Sequence, residues 1–150
     1  MNSLKDSPDA FGATYEREAA VSDTEWRSRL LPKPGVNISY PLVAEVNGCP
    51  VGLAVAVIWE QEPDVAYIYQ MWVLPDARGM GIARTFLERI TAWAESRHCS
   101  WLKLSVTTVN DSAVRLYQRA GFKPAGVLEP LREGSALQTQ LMARKLVYAI

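Results

Sequence analysis

A chain of 150 residues with 49% hydrophobic side chains has the make-up of one ordinary domain, long enough to bury a core and too short for two, and neither disordered nor fibrous. Its 16 basic and 16 acidic residues cancel, which removes the basic excess that phosphate-backbone binding needs, so no nucleic-acid partner is expected. Cys49, Cys99 and the lone His98 fit no metal-ligand spacing, and neither a secretion signal nor a run of roughly eighteen apolar residues is present, so a reduced, metal-free cytoplasmic protein off the membrane is expected.

Along the chain, residues 1 to 21 are polar with scattered apolar positions. Ser22-Asp23-Thr24-Glu25 supplies capping residues before Trp26, Leu30 and Leu31 at helical spacing, which predicts a short helix ending at Pro32. KPGVNISYP reads as loop. LVAEV and VGLAVAVIW are apolar, β-branched runs separated by Asn47-Gly48-Cys49-Pro50, which predicts a hairpin. A second turn spans Glu60 to Asp64, and Val65 to Leu74 forms a third strand of an antiparallel meander.

From Gly81 to Arg97, Ile82, Phe86, Leu87, Ile90, Trp93 and Ala94 recur every three to four residues, which predicts an amphipathic helix. Trp101 to Val106 alternates as a strand, and Asn110 or Asp111 then caps a second helix that ends at Gly121. FKPAGVLEP and ALQTQLMARKL read as two closing strands joined by a turn around Arg132-Glu133-Gly134-Ser135. The fold class expected is α+β, a mixed sheet with helices packed on its faces.

The stretch with most chemical content is AYIYQMWVLPDARGMGIAR, where Gly79 and Gly81 stand between a strand and the stronger helix. The first N–H groups of a helix lack internal partners, and glycines there let an anion approach them closely. On the glycines alone, a plain strand-to-helix turn outweighs a phosphate cradle. A Walker A loop is excluded because Ile82-Ala83-Arg84 follows Gly81, and a dinucleotide fingerprint fails because Arg84 takes its third glycine position. A third pattern, [RQ]-x-x-G-x-[GA], is matched in full by Arg78-Gly79-Met80-Gly81-Ile82-Ala83.

With that motif and NDSAVRLYQRAGF further on, the chain resembles the GNAT superfamily of acetyl-CoA-dependent N-acetyltransferases from about Ser3 to Leu146. The resemblance implies a GNAT-like fold, a mostly antiparallel central sheet flanked by helices, with acetyl-CoA as co-substrate and no metal. It implies that Arg78, Gly79, Met80, Gly81, Ile82 and Ala83 clamp the CoA pyrophosphate. It also implies that the preceding strand splays from its neighbour at a bulge, with Trp72 and Val73 offering backbone contacts to the pantetheine and an N–H near Met71 to Val73 polarising the thioester carbonyl. Members usually begin with a strand and a helix before the stretch that starts here almost at Met1, so either the sequence is N-terminally short or another element covers the open sheet edge, with a homodimer or a rearranged N-terminus expected.

In the same resemblance, Asn110 and Tyr117 lie near the pantetheine arm and the thioester sulfur. Asn110 equally suits a helix N-cap, and Tyr117 is either the general acid for the departing thiolate or an aromatic packed beside Ala113. The base is less defined: among Glu45, Glu60, Glu62, Asp64, Tyr67, Tyr69 and Gln70, Glu60 and Tyr69 rank first, with a water chain as the alternative. Trp26 is the tryptophan expected to line an acceptor pocket, while His98, Arg97 and Cys99 have ordinary structural readings. The implied acceptor is a small-molecule or peptide amine. A non-catalytic acyl-CoA-binding module and, less well matched, a small nucleotide binder are the competing readings.

Overall fold

The computed structural model describes residues 22 and 34–147. Within them, β1 (Val36–Val46), β2 (Cys49–Trp59) and β3 (Val65–Val73) lead through a short 3-10 turn at Pro75–Ala77 into α1 (Ile82–Ser96). Then come β4 (Trp101–Thr107), α2 (Asp111–Arg119), the two-residue strands β5 (Lys123–Pro124) and β6 (Glu129–Pro130), and β7 (Gln138–Lys145). The helix expected over Trp26 to Leu31, the pocket role of Trp26 and the family's opening strand and helix fall outside the described residues.

The strands form one sheet in the order β1-β2-β3-β4-β7-β5, with β6 also on β7. All pairings are antiparallel except β3 with β4, so the mixed, mostly antiparallel sheet expected from the sequence is what forms. The β1–β2 hairpin closes through Asn47 and Gly48, both at positive φ (52° and 79°), the conformation that a tight two-residue hairpin turn requires.

Two readings of the sequence need correction. Residues 36–41 are strand, where loop was expected: Asn37, Ser39 and Pro41 face outward in strict alternation with Val36, Ile38 and Tyr40. A proline is tolerated there because, among the described residues, β1 is the outermost strand and no described strand needs a donor on its other side. Conversely, the strand expected over Phe122 to Pro130 is broken into β5 and β6, because Pro124 and Pro130 cannot donate and Gly126 turns at φ 79° between them.

The main buried cluster lies on one face of the sheet. Ala54, Ala56 and Ile58 of β2, Ala66 and Ile68 of β3, Leu102, Leu104 and Val106 of β4 and Met142 of β7 are buried with Phe86, Leu87, Ile90 and Ala94 of α1. Each large side chain so buried contributes about 1.5–3 kcal/mol. Helix α1 sits closely on the sheet at Gly52, where an added Cβ would lie 3.3 Å from Phe86 Cε2 and 3.2 Å from the Trp72 carbonyl oxygen. The small residue therefore fixes how near the start of α1 comes to the end of β3.

Candidate active site

Strands β3 and β4 pair only over Val65↔Trp101, Ala66↔Leu102 and Tyr67↔Lys103. Beyond Tyr67 they diverge, β4 continuing against β7 as far as Thr107↔Thr139. On its other side β3 stays on β2, but its register slips by one residue between Val55↔Tyr69 and Leu53↔Trp72. Gln70 sits in that slip at φ 57°, in the left-handed region that a non-glycine residue seldom adopts, which makes it the bulge residue.

The bulge sets which backbone groups face the gap between β3 and β4. The Leu74 N–H donates to the Val51 carbonyl at 2.7 Å, so Leu74 and, by alternation, Trp72 turn their backbone toward β2. Val73 and Met71 consequently turn theirs toward the gap. The Val73 carbonyl accepts from Arg78 Nε at 2.9 Å, which folds the Arg78 side chain back against the end of the strand.

After the 3-10 turn the chain passes through Gly79 and Gly81 at φ 84° and 80°. A Cβ at either would meet nothing within 4 Å among the described residues, so it is the left-handed backbone that calls for glycine. Gly81 is the N-cap of α1 and no side chain caps it; the first helical bond is Thr85 N–H to the Gly81 carbonyl at 3.0 Å. The N–H groups of the first turn therefore point out of the helix end, beside exposed Arg78 and with the positive end of the helix dipole behind them. That donor set fits a pyrophosphate.

The second helix enters from the same end. Strand β4 stops at Thr107 and Asn110 caps α2, its side chain accepting from Ala113 N–H at 3.3 Å. Two turns after that cap, Tyr117 reaches across to β3, where its hydroxyl donates to Met71 Sδ at 3.9 Å. The Tyr117 ring packs edge-on against Phe122 at 5.9 Å, and burial pushes the phenol up to about 12. The carboxyl ends of both parallel strands, the N-termini of both helices and a protonated phenol thus converge on one gap, the crevice position that favours ligands in sheets with parallel strands.

The sequence of residues 4–122 matches the Acetyltransferase (GNAT) family model. This chain belongs to that family. Among GNAT relatives, the phosphinothricin N-acetyltransferase of Alcaligenes faecalis is 33% identical over 144 residues, covering 89% of this chain and 70% of that protein. An uncharacterized N-acetyltransferase of Methanocaldococcus jannaschii is 34% identical over 91 residues, 58% of this chain, and the match spans only 40% of that protein's length. In three dimensions the chain is similar to the crystal structure of nourseothricin acetyltransferase, with a TM-score of 0.66 and 28% identity over 76% of this chain and 67% of the other.

Within this GNAT fold the sequence-predicted residues separate into two groups. Val73, Arg78, Gly79, Met80, Gly81, Ile82, Ala83, Asn110 and Tyr117 gather at the end of the sheet where β3 and β4 part. Trp72 lies in the same strand end, its carbonyl directed to Gly52. Glu60 is exposed one residue past β2, about 17 Å by strand rise from Val55 beside the bulge. Tyr69, 39% exposed, adjoins the bulge, and its hydroxyl accepts from Trp59 Nε1 at 3.2 Å.

Sequence reading did not isolate Gln70 as the bulge residue, nor Met71 as the partner of Tyr117. It also missed a cluster on the sheet face opposite α1, where Trp59, Tyr67 and Tyr69 meet. The Tyr67 hydroxyl donates to Glu62 at 2.9 Å, and burial together with that carboxylate pushes the Tyr67 phenol up to about 12. Among the described residues no group of three His, Cys, Asp or Glu side chains gathers as a metal site, and no helix is long and apolar enough to cross a membrane.

Proposed function

We propose that the chain transfers an acetyl group from acetyl-CoA to a primary amine by direct attack within a ternary complex. The observation that carries the reading is the meeting of Tyr117, from α2, with Met71 at the bulged end of β3, on the gap above the glycine loop. Acetyl-CoA supplies the activated thioester. Arg78 and the N–H groups at the start of α1 hold its pyrophosphate, and the gap between β3 and β4 receives the pantetheine arm alongside Val73.

The attacking amine forms the new C–N bond as the C–S bond breaks, and negative charge passes through the carbonyl oxygen to sulfur. The Met71 N–H, turned to the gap, is the donor for that oxygen. Tyr117 serves the sulfur. A phenol held at about 12 remains protonated throughout the physiological range, so its O–H is always available to the departing thiolate. Because a thiol is the stronger acid by some three units, Tyr117 acts chiefly by hydrogen bonding while charge develops. The proton lost by the amine leaves through water on the exposed side of the sheet at Tyr69.

The phosphinothricin and nourseothricin enzymes among its relatives support a small-molecule amine as the acceptor. The test is release of CoA thiol from acetyl-CoA by the purified protein across a panel of primary amines. Amine-dependent release is expected; stoichiometric CoA binding with no release by any amine would make the chain an acyl-CoA-binding module instead.

A further inference from the structure

The face opposite α1 carries a group of rings whose faces take no part in the acetyl-transfer step. Because Ala54, Ala56, Ile58, Ala66 and Ile68 face the core, alternation sends Trp59, Tyr67 and Tyr69 to the other side. Tyr67 and Tyr69 lie with centroids 6.2 Å apart and planes within 18°, so they form a continuous platform along β3. Trp59 stands at 83° to Tyr69 with centroids 6.4 Å apart, and its Nε1–H to the Tyr69 hydroxyl fixes the corner. Glu62, held by the Tyr67 hydroxyl, places a carboxylate at the end of the platform.

We propose that this corner binds a second cationic group of the acceptor, distinct from the amine being acetylated, so that the preferred acceptors are compounds with two basic nitrogens. The proposal rests on the acetyl-transfer reading for the role of the first nitrogen. Aromatic faces are negative and attract cations, and several rings gathered on one cation are a common way of recognising it. The platform already does this within the protein, since Lys103 Nζ lies over the Tyr67 ring at 6.0 Å from its centroid. The neighbouring ring, Tyr69, is 39% exposed and carries no such lysine among the described contacts.

Position sets the spacing. Tyr69 precedes the bulge and Met71 follows it, so the near edge of the corner, at Tyr69, is about two residues, or roughly 7 Å, back along β3 from the N–H that faces the reacting carbonyl, and Trp59 flanks it farther back. A linear diamine of four or five carbons spans that distance. One nitrogen would then reach the gap while the other rests against Tyr69 and Trp59.

Two measurements decide it. The first compares kcat/KM for 1,5-diaminopentane, 1-aminopentane and 2-phenylethylamine in the wild-type protein and in Trp59→Leu, Tyr69→Leu and Tyr69→Phe. The diamine is expected to exceed 1-aminopentane about three- to thirtyfold, the range of one cation–aromatic contact. Tyr69→Leu and Trp59→Leu should abolish that preference, Trp59→Leu while leaving the monoamine rate within about twofold, and Tyr69→Phe, which keeps the ring, should retain it. Equal rates for diamine and monoamine, or a preference for 2-phenylethylamine, would overturn the proposal.

The second measurement needs no turnover. Tetramethylammonium, which cannot be acetylated, is titrated while the Trp59 indole N–H is followed by NMR, its signal identified by loss in Trp59→Leu. A saturating shift in wild type and Tyr69→Phe, absent in Tyr69→Leu, supports the corner even if no amine is acetylated. No shift, or the same shift in Tyr69→Leu, removes the corner even if acetyl transfer is observed.

Discussion

Replacing Gly79 or Gly81 with alanine separates what the glycine loop does for folding from what it does for an anion. Both residues have φ near 80°, where an L side chain costs roughly 1–2 kcal/mol. A Cβ at either meets nothing within 4 Å, so no clash adds to that cost. Gly48 in the β1–β2 turn has the same features, φ 79° and open space, and belongs to a hairpin and not to the strand-to-helix loop, so Gly48→Ala is a matched control. All three variants should lose about 1–2 kcal/mol in urea unfolding. CoA affinity should part them: a methyl group over the N–H groups of the loop displaces phosphate from charge-assisted bonds of about 1.5–3 kcal/mol each. Calorimetry should therefore show CoA binding about ten- to a hundredfold weaker in Gly79→Ala and Gly81→Ala, and unchanged in Gly48→Ala. If all three bind CoA alike, the loop is only a turn and the pyrophosphate assignment fails.

Three further outcomes follow from the geometry. Tyr117→Phe keeps the ring against Phe122 and removes the hydroxyl, so turnover should fall about ten- to a hundredfold with CoA affinity intact; steady-state rates and calorimetry on the same preparation check it. Gly52→Ala brings a Cβ within 3.2 Å of the Trp72 carbonyl and 3.3 Å of Phe86, so chemical denaturation should show a loss of about 1–3 kcal/mol from overpacking without backbone strain. Burial holds the Tyr117 and Tyr67 phenols at about 12 in the fold against 10.0 ordinarily, so the unfolded chain releases those protons first. Stability from these groups is accordingly full below pH 10 and lost as pH rises through 12, and urea midpoints measured up to about pH 11 should fall more steeply in wild type than in Tyr117→Phe.

Much of the arrangement was legible because it is local. The three- to four-residue spacing from Ile82 to Ala94 marked α1, Asn47-Gly48 marked the hairpin, and the match at Arg78 to Ala83 picked the loop out from two other phosphate patterns. What was hidden depends on pairing between distant strands. Residues 36–41 looked like loop because Pro41 and Gly35 are turn residues in isolation, and it is the outermost place of β1 among the described strands that makes the proline acceptable.

The bulge left a faint trace. Ala66 and Ile68 set a core parity that polar Gln70 breaks, and buried Val73 lies on the opposite parity, as one extra residue requires. The contact of Tyr117 with Met71 left none, since it joins residues 46 positions apart and depends on where β3 and β4 part. Nor could composition point to the ring corner: Trp59, Tyr67 and Tyr69 meet only in the register that pairs Val57 with Tyr67 and Val55 with Tyr69.

The most direct test of acetyl transfer at the splayed end of β3 follows both products in one reaction. With acetyl-CoA and a primary amine, CoA thiol by colorimetry and the acetylated amine by mass spectrometry should appear one for one, with the initial rate rising with both substrates along intersecting double-reciprocal lines. Thiol release without amide formation would reduce the activity to hydrolysis, and parallel lines would place the acetyl group on the protein before the amine arrives; either result contradicts direct attack in a ternary complex.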